Sequence, residues 1–480
     1  MKRLIIPIFF ILFLIYPFAF SINNGFYFIC AILLLLAIVK IKNIMSKKYK
    51  IQISEKLVKF YPLIIILQAV ITRIGSAMFL NDNLVQVSDF NSALNVANTM
   101  QFQEPYHRIF IHWILLPYIT HFLFNIFGSS QLVALIFNGI ICVLSTIMIY
   151  FVTCKLVKNK NISFLASMLY ILWPANILYV GIYTTEHITQ LLLLIGVFLI
   201  LKGNEERKSV KKYILFFISG IMLGLTTFFK NFGLVFIIAL VIYFVLKCIF
   251  SAKEDLKKKV ITSLISFVIL VIGNFLIVQI TYVALDNIIG AKVSRDNTTY
   301  FLTVGLISNN NGTYNATIGE NYKRKIVENN YNYDAVNKEM CDILIKDIIS
   351  NKNLGKKLEN KAKVIVGGDK GRVGFVIRSA KENGSIKLKE FIEKYILDLN
   401  DFYYMVLFIL IGVGILKFRK DTNLEVLFIY ISIYGTYLLL VLIEAQNRYT
   451  YGINSFICIL AAIGFGYLFN YKKEEAKPIF

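Results

Sequence analysis

Apolar runs of roughly 17–25 residues recur along the chain with short polar connections between them, and such a run is long enough to cross a bilayer as a helix that satisfies its own backbone. The pattern predicts spans near 4–20, 25–41, 59–80, 131–153, 162–180, 187–201, 213–229, 232–249, 260–284, 402–417, 424–443 and 452–470. Two other segments are expected as helices lying in the membrane interface. Ser88 to Met100 offers Ser88 as an N-cap and Phe90, Leu94, Ala97 and Met100 as an apolar stripe. Ile109 to Phe127 is long enough to cross, but His112, Pro117, His121 and Asn125 interrupt it.

Charge decides how this series is threaded. Of the 32 Lys and Arg residues outside 285–400, 28 fall on one side of the membrane when Ile109–Phe127 is left out of the spans. Short loops rich in Lys and Arg stay cytoplasmic, so this side is the inside and both termini are expected there. Counting Ile109–Phe127 as a span would translocate Lys155 to Lys160 and every later basic loop. The outer connections then carry only Arg108, Lys230 and Arg448 as basic residues, and they gather Asp82, Asp89, Glu104, His107, Glu186, His187 and Glu444.

The order of runs divides the chain into four stretches. Residues 1–58 hold two spans and a basic cytoplasmic loop, and 59–284 hold a transmembrane module whose outer loop, 81–130, carries the interfacial helices. Residues 285–400 form an extracytoplasmic domain, mixed but mainly helical, with 19 basic and 14 acidic side chains, and 401–480 hold the last spans. The fold class is therefore an all-α polytopic membrane protein.

With 57% hydrophobic residues and a mean hydropathy of +0.65, the chain is excluded from the soluble classes. A formal charge of +22 would suggest nucleic acid in a soluble protein; here most of it is explained by topology and anionic lipid. The first run lacks a small-residue cleavage site and a second run follows at once, so it is expected to be retained. Five of the six cysteines sit in or beside apolar runs, which implies neither a disulfide framework nor a thiolate metal site.

Several outer residues could do chemistry. Asp89 opens the first interfacial helix, where a carboxylate is also favoured by the helix dipole alone, and Asp82 is a second candidate. Glu186 and His187 open the sixth span in YTTEHITQ, Lys230 sits in a very short turn, and Glu444 and Arg448 stand at i,i+4 in LIEAQNRYTYG, a spacing that also suits a local salt bridge. Carboxylates beside Lys and Arg suit a reaction in which a hydroxyl is deprotonated and a phosphate departs. The four histidines show no zinc-binding spacing, so no metal is indicated.

Motifs in order give the chain a resemblance to the GT-C superfamily of integral-membrane glycosyltransferases, in particular the protein O-mannosyltransferase and lipid A aminoarabinose transferase branch. They are SDFNSALNVANTM, YHRIFIHWILLPYITHFLFNIFGSS, LYILWPANILYVGIYTTEHITQLLLL, GIMLGLTTFFKNFG and EAQNRYTYGINSFICILAAIGFG. The resemblance implies a GT-C fold and inverting transfer of one sugar from an undecaprenyl-phosphate sugar or similar polyprenyl-phosphate donor, on the outer face of the plasma membrane. It implies Asp89 as the catalytic base, with Glu186 orienting sugar or acceptor. Lys230, Arg448 and Arg108 would bind the donor phosphate, and His107, His187, Tyr449 and Glu444 the substrates. The acceptor would be an envelope polysaccharide such as teichoic acid, a lipid, or a protein. Heavy use of Lys, Ile and Asn suggests a low-GC Gram-positive source.

The sequence departs from the family pattern. Two spans precede the usual first one, Phe90 replaces a second carboxylate, and Arg108-Ile109 replaces a Pro-Pro pair. A ligase or polymerase using a lipid-pyrophosphate glycan, and a transporter or flippase, are the competing readings. The transporter would place charge within the membrane, where only Arg73 lies.

Overall fold

The computed structural model describes residues 24–48, 55–250, 256–307, 312–351, 353–381, 385–417 and 423–469. The expected first span, 4–20, and the basic stretch Lys472 to Lys477 lie outside the described residues. Among the described residues every regular element is a helix. Among these residues eight helices are long and apolar enough to cross a membrane, and five shorter apolar helices accompany them. The protein is a multi-pass membrane protein, as its hydropathy demands.

In chain order the elements used below are α1 (Asn24–Lys48), α2 (Tyr61–Asn81), α3 (Asp89–Thr99), α4 (Leu115–Phe127), α5 (Gln131–Val157) and α6 (Lys160–Leu172). Then follow α7 (Pro174–Tyr179), α8 (Glu186–Glu205), α9 (Ser209–Leu225), α10 (Gly233–Ile249) and α11 (Leu256–Ile289). Each expected span within the described residues coincides with a helix. The span expected at 162–180 is broken in two at Trp173, because Pro174 has no N–H to continue the ladder.

Residues 285–400 fold into α12 (Thr298–Ile307), α13 (Ala316–Glu328), α14 (Tyr333–Ser350), α15 (Leu354–Val366) and α16 (Lys370–Lys381). The mixed character expected for this region gives way to helices alone among the described residues. The boundary expected at 400 falls inside a continuous helical stretch, Ile386–Leu416, whose later part is α17 (Leu397–Lys417). The last described elements are α18 (Leu424–Leu442), a 3-10 segment over Asn447–Ile453, and α19 (Asn454–Leu468).

The long helices differ in how far they are enclosed. In the apolar part of Asn447–Leu468 83% of the residues are buried, against only 22% in that of Leu256–Ile289, so α19 is an inner helix and α11 a peripheral one. Close approach at the centre depends on a small residue. A β-carbon at Gly464 would collide with the Leu410 carbonyl, which lets α17 and α19 pack backbone against backbone.

The two helices expected at the interface are present as α3 and α4. On α3 the buried face is Phe90, Ala93, Leu94, Val96 and Ala97, which contains most of the expected stripe; Met100 instead ends the helix in the left-handed conformation. Ser88 stands at the N-cap position, but its side chain makes no capping bond. Its φ of 55° turns the carbonyl to accept from Asn91 and Ser92 N–H, both at 3.1 Å.

Candidate active site

Asp89 is the first residue of α3, where its charge complements the exposed N–H groups of the helix end. It is half-buried, and its Oδ1 accepts from the Tyr106 hydroxyl at 3.3 Å. Burial, with the adjacent Asp89 charge, pushes the Tyr106 hydroxyl far above its ordinary range, so it stays protonated and donates to the carboxylate. The neighbouring ring of Phe90 turns inward, edge-on to Trp113 at 6.0 Å and to Phe375 of α16 at 5.5 Å.

Glu186 opens α8 after a loop held from two sides. Asn138 of α5 donates to Val180 O at 3.3 Å and Ile182 O at 2.9 Å. Gln86 donates to Gly181 O at 2.9 Å and accepts from Tyr183 N–H at 2.9 Å. Since Gln86 lies three residues before Asp89, one amide pins the Asp89 loop to the Glu186 loop. The Glu186 carboxylate accepts from Tyr179 OH at 2.7 Å and from Thr184 OH, and forms an ion pair with Arg448 at 3.2 Å. Thr185, at the head of this helix, makes no side-chain cap bond.

Arg448 lies in the 3-10 segment Asn447–Ile453, between α18 and α19. Its guanidinium donates to Gln446 Oε1 at 2.6 Å and stacks against the rings of Phe90, Phe375 and Tyr449 at about 5 Å. The local salt bridge that the i,i+4 spacing allowed does not form. Arg448 pairs with Glu186, while Glu444 accepts from Gln446 and from Tyr449 OH at 3.2 Å.

Lys230 reaches this group from the turn between α9 and α10, its Nζ lying 3.7 Å from the centre of the Tyr449 ring. Burial pulls its ammonium down to about 8, against the fields of Glu186, Glu444 and Asp89 and reinforced by Arg448. The structure thus brings Asp89, Glu186, Lys230, Arg448, Glu444 and Tyr449 within electrostatic reach of one another.

Three other candidates lie elsewhere. Arg108 contacts Glu104 at 3.5 Å, Lys292 O and the ring of Tyr331. His107 is buried with Nδ1 accepting from Gln103 N–H at 2.9 Å, and burial lowers its imidazolium. His187 turns into the helix bundle, where Nδ1 lies 3.0 Å from Tyr451 OH and 3.3 Å from Cys142 Sγ. Among the described residues no three His, Cys, Asp or Glu side chains converge as metal ligands. Tyr106, Tyr179, Thr184, Gln86 and Phe375 belong to the site and escaped sequence reading.

Chemically, the group combines a carboxylate available to accept a proton with two cations placed to meet an anion. Residues 112–277, which include α8 with Glu186 and the turn with Lys230, match the family described as dolichyl-phosphate-mannose-protein mannosyltransferase. Among solved structures, this chain is similar to the Archaeoglobus fulgidus oligosaccharyltransferase in complex with Zn and sulfate, with 14% identity and a TM-score of 0.48 over 85% of this chain and 49% of that one. It is also similar to ArnT from Cupriavidus metallidurans bound to undecaprenyl phosphate, with 11% identity and a TM-score of 0.35 over 84% and 77% of the two chains. The chain spans about half the length of the archaeal protein. No curated protein matches it significantly.

Proposed function

We propose that this protein is a GT-C-type glycosyltransferase that transfers a single sugar, with inversion, from an outward-facing polyprenyl-phosphate sugar to a cell-envelope acceptor. The observation that carries the reading is the contrast between the two carboxylates. Glu186 is ion-paired to Arg448, whereas Asp89 accepts from Tyr106 and is paired to no cation among the described residues. A base needs a free lone pair, and Asp89 keeps one while lying within the electrostatic reach of Lys230 and Arg448.

In the reaction the acceptor hydroxyl gives its proton to Asp89 as its oxygen attacks the anomeric carbon. The bond from that carbon to the donor's phosphate oxygen breaks on the opposite face, and the electron pair leaves on the polyprenyl phosphate. Arg448 and Lys230 meet the charge that develops there, and charge-assisted contacts strengthen as it grows. Glu186 holds Arg448 in place. A general base contributes roughly 10²- to 10⁴-fold.

The match to a family described by a dolichyl-phosphate-linked sugar supports the donor class. In a bacterium the donor is an undecaprenyl-phosphate hexose or a similar sugar. The basic excess of residues 285–400 favours an anionic acceptor such as a teichoic acid over a neutral lipid or a protein. The outer placement of the site and cytoplasmic termini rest on the distribution of Lys and Arg.

The test is transfer of radiolabelled sugar from a panel of synthetic polyprenyl-phosphate sugars to an envelope extract. Wild type is expected to form product and a folded Asp89→Asn protein to form almost none. Equal product from both overturns Asp89 as the base, and consumption of no donor by wild type overturns the donor class.

A further inference from the structure

Arg372 lies in α16, outside the group of residues assigned to the reaction, and is among the largest fully buried side chains of the protein. Its guanidinium forms a two-pronged ion pair with Asp369, Nε donating to Oδ1 at 2.6 Å and Nη2 to Oδ2. Nη1 donates to Asn176 Oδ1 of α7 at 2.5 Å, and the group lies 5.0 Å from the Trp173 ring and 5.4 Å from that of Tyr451. A helix of the 285–400 region is thus fixed to the transmembrane bundle by a planar cation in a planar slot.

Two paths lead from this anchor to Arg448. The first runs through the turn before α16. The side-chain amide of Asn447, the residue before Arg448, donates to the carbonyls of Val364, Ile365 and Gly368, and the last lies next to Asp369. A β-carbon on Gly371 would meet Asn447 Cβ at 2.7 Å, so the turn closes tightly on that side chain. On the far side of Arg448, Asn454 with its amide oxygen toward the guanidinium accepts from Arg372 Nη2 at 2.7 Å and donates to Thr450 O at 3.1 Å. Thr450 OH in turn donates to Asn447 O at 2.8 Å. The 3-10 segment that presents Arg448 is held at both ends.

The second path is along the helix itself. Phe375 is three residues after Arg372, so the anchor sets the rotation and height of α16 and with them the ring that stands 4.9 Å from the Arg448 guanidinium and 5.5 Å from Phe90. Nothing else in the site comes from residues 364–381. Their contribution is geometry.

We propose that Arg372 is a positioning residue for Arg448, and that through it the 364–381 segment aligns the cation that receives the donor phosphate. The proposal rests on the assignment of Arg448 to that phosphate. It predicts that loosening the anchor weakens phosphate recognition and leaves proton abstraction by Asp89 untouched.

The experiment measures binding of undecaprenyl phosphate to the purified full chain in nanodiscs, for wild type, Arg372→Lys, Arg448→Gln and the double variant. Phe375→Leu is measured beside them, because it keeps an apolar side chain where the anchor variant could disturb folding. Arg372→Lys keeps the charge but loses the fork, and both it and Phe375→Leu are expected to weaken binding roughly ten-fold. In the Arg448→Gln background Arg372→Lys is expected to have no further effect, since its route to the phosphate is already cut. A merely structural role adds the same loss in both backgrounds and overturns the proposal, as does wild-type affinity in both Arg372→Lys and Phe375→Leu. A wild type that binds no undecaprenyl phosphate overturns the assignment of Arg448 itself, a failure distinct from that of the anchor.

Discussion

Arg448 and Glu186 form an ion pair at 3.2 Å with both side chains almost wholly shielded from solvent, 5% and 0% exposed. They are 262 residues apart in sequence. A guanidinium committed to one carboxylate still has donors to offer an incoming phosphate, and its orientation is already fixed before the phosphate arrives.

Breaking this pair from one side is expected to be costly. Glu186→Ala leaves a buried guanidinium without its counter-charge, and the loss is about 3–5 kcal/mol of stability. The double variant Glu186→Gln/Arg448→Gln replaces the pair by two amides that can bond each other, so it regains most of that stability while still failing to transfer sugar. Thermal unfolding in detergent and a transfer assay on the same preparations separate the two effects. A double variant as active as wild type would remove Arg448 from the reaction.

Lys230 gives the site a pH dependence whose sign follows from its burial. Its ammonium is held down to about 8, so the cation is present below that value and lost as pH rises through it. Transfer from a phosphate-linked donor, and affinity for the free lipid phosphate, should therefore fall on the alkaline side with a midpoint near 8. Lys230→Arg keeps its charge at all accessible pH and should abolish that limb. An alkaline limb unchanged in Lys230→Arg assigns the titration to another group.

The charged members of the site were legible because charge is scarce on the connections that the Lys and Arg pattern assigns to the outside. Once the basic loops had been assigned to the inside, Asp89, Glu186, Lys230, Glu444 and Arg448 were among the few ionisable residues left. Tyr106, Tyr179 and Phe375 gave no such signal: among 28 tyrosines and 40 phenylalanines in an apolar chain, one that faces a carboxylate is indistinguishable from one that fills a gap. The direction of the His187 side chain was not legible either. That residue follows Glu186 directly, and one step along a helix turns a side chain by about 100°, here away from the outer group and into contact with Tyr451 and Cys142. The spans were readable from their length and Pro174 is the local cause of the break at Trp173, whereas the run of α17 back to Ile386 depends on packing that no local pattern records.

Tyr106 supports Asp89, the proposed base, without supplying a charge. Its hydroxyl donates to Asp89 Oδ1 at 3.3 Å, and a hydrogen bond to a charged group contributes about 1.5–3 kcal/mol at most. Tyr106→Phe keeps the ring that packs on Phe110 at 5.0 Å, so the fold should be retained. With the carboxylate free to rotate, kcat should drop about ten-fold with little change in KM for the donor, whose phosphate is held elsewhere. A loss expressed wholly in KM would mean that Tyr106 touches the donor rather than the base.

Gln86 tests whether the two carboxylate loops act as a unit. Its amide uses both ends, donating to Gly181 O and accepting from Tyr183 N–H, and it is 2% exposed, so no water replaces either bond easily. Gln86→Met fills the same space and leaves both backbone groups unsatisfied, at a cost of roughly 1–3 kcal/mol for each buried group left without a partner. If the amide only stabilises the fold, transfer by the surviving folded protein should match wild type. If it also sets the distance between Asp89 and the Glu186–Arg448 pair, kcat should fall beyond what the loss of folded protein explains, because a misplacement of about 1 Å can cost 10²-fold. Normalising turnover to the folded fraction decides between them, and the bridging geometry of Gln86 predicts the second outcome.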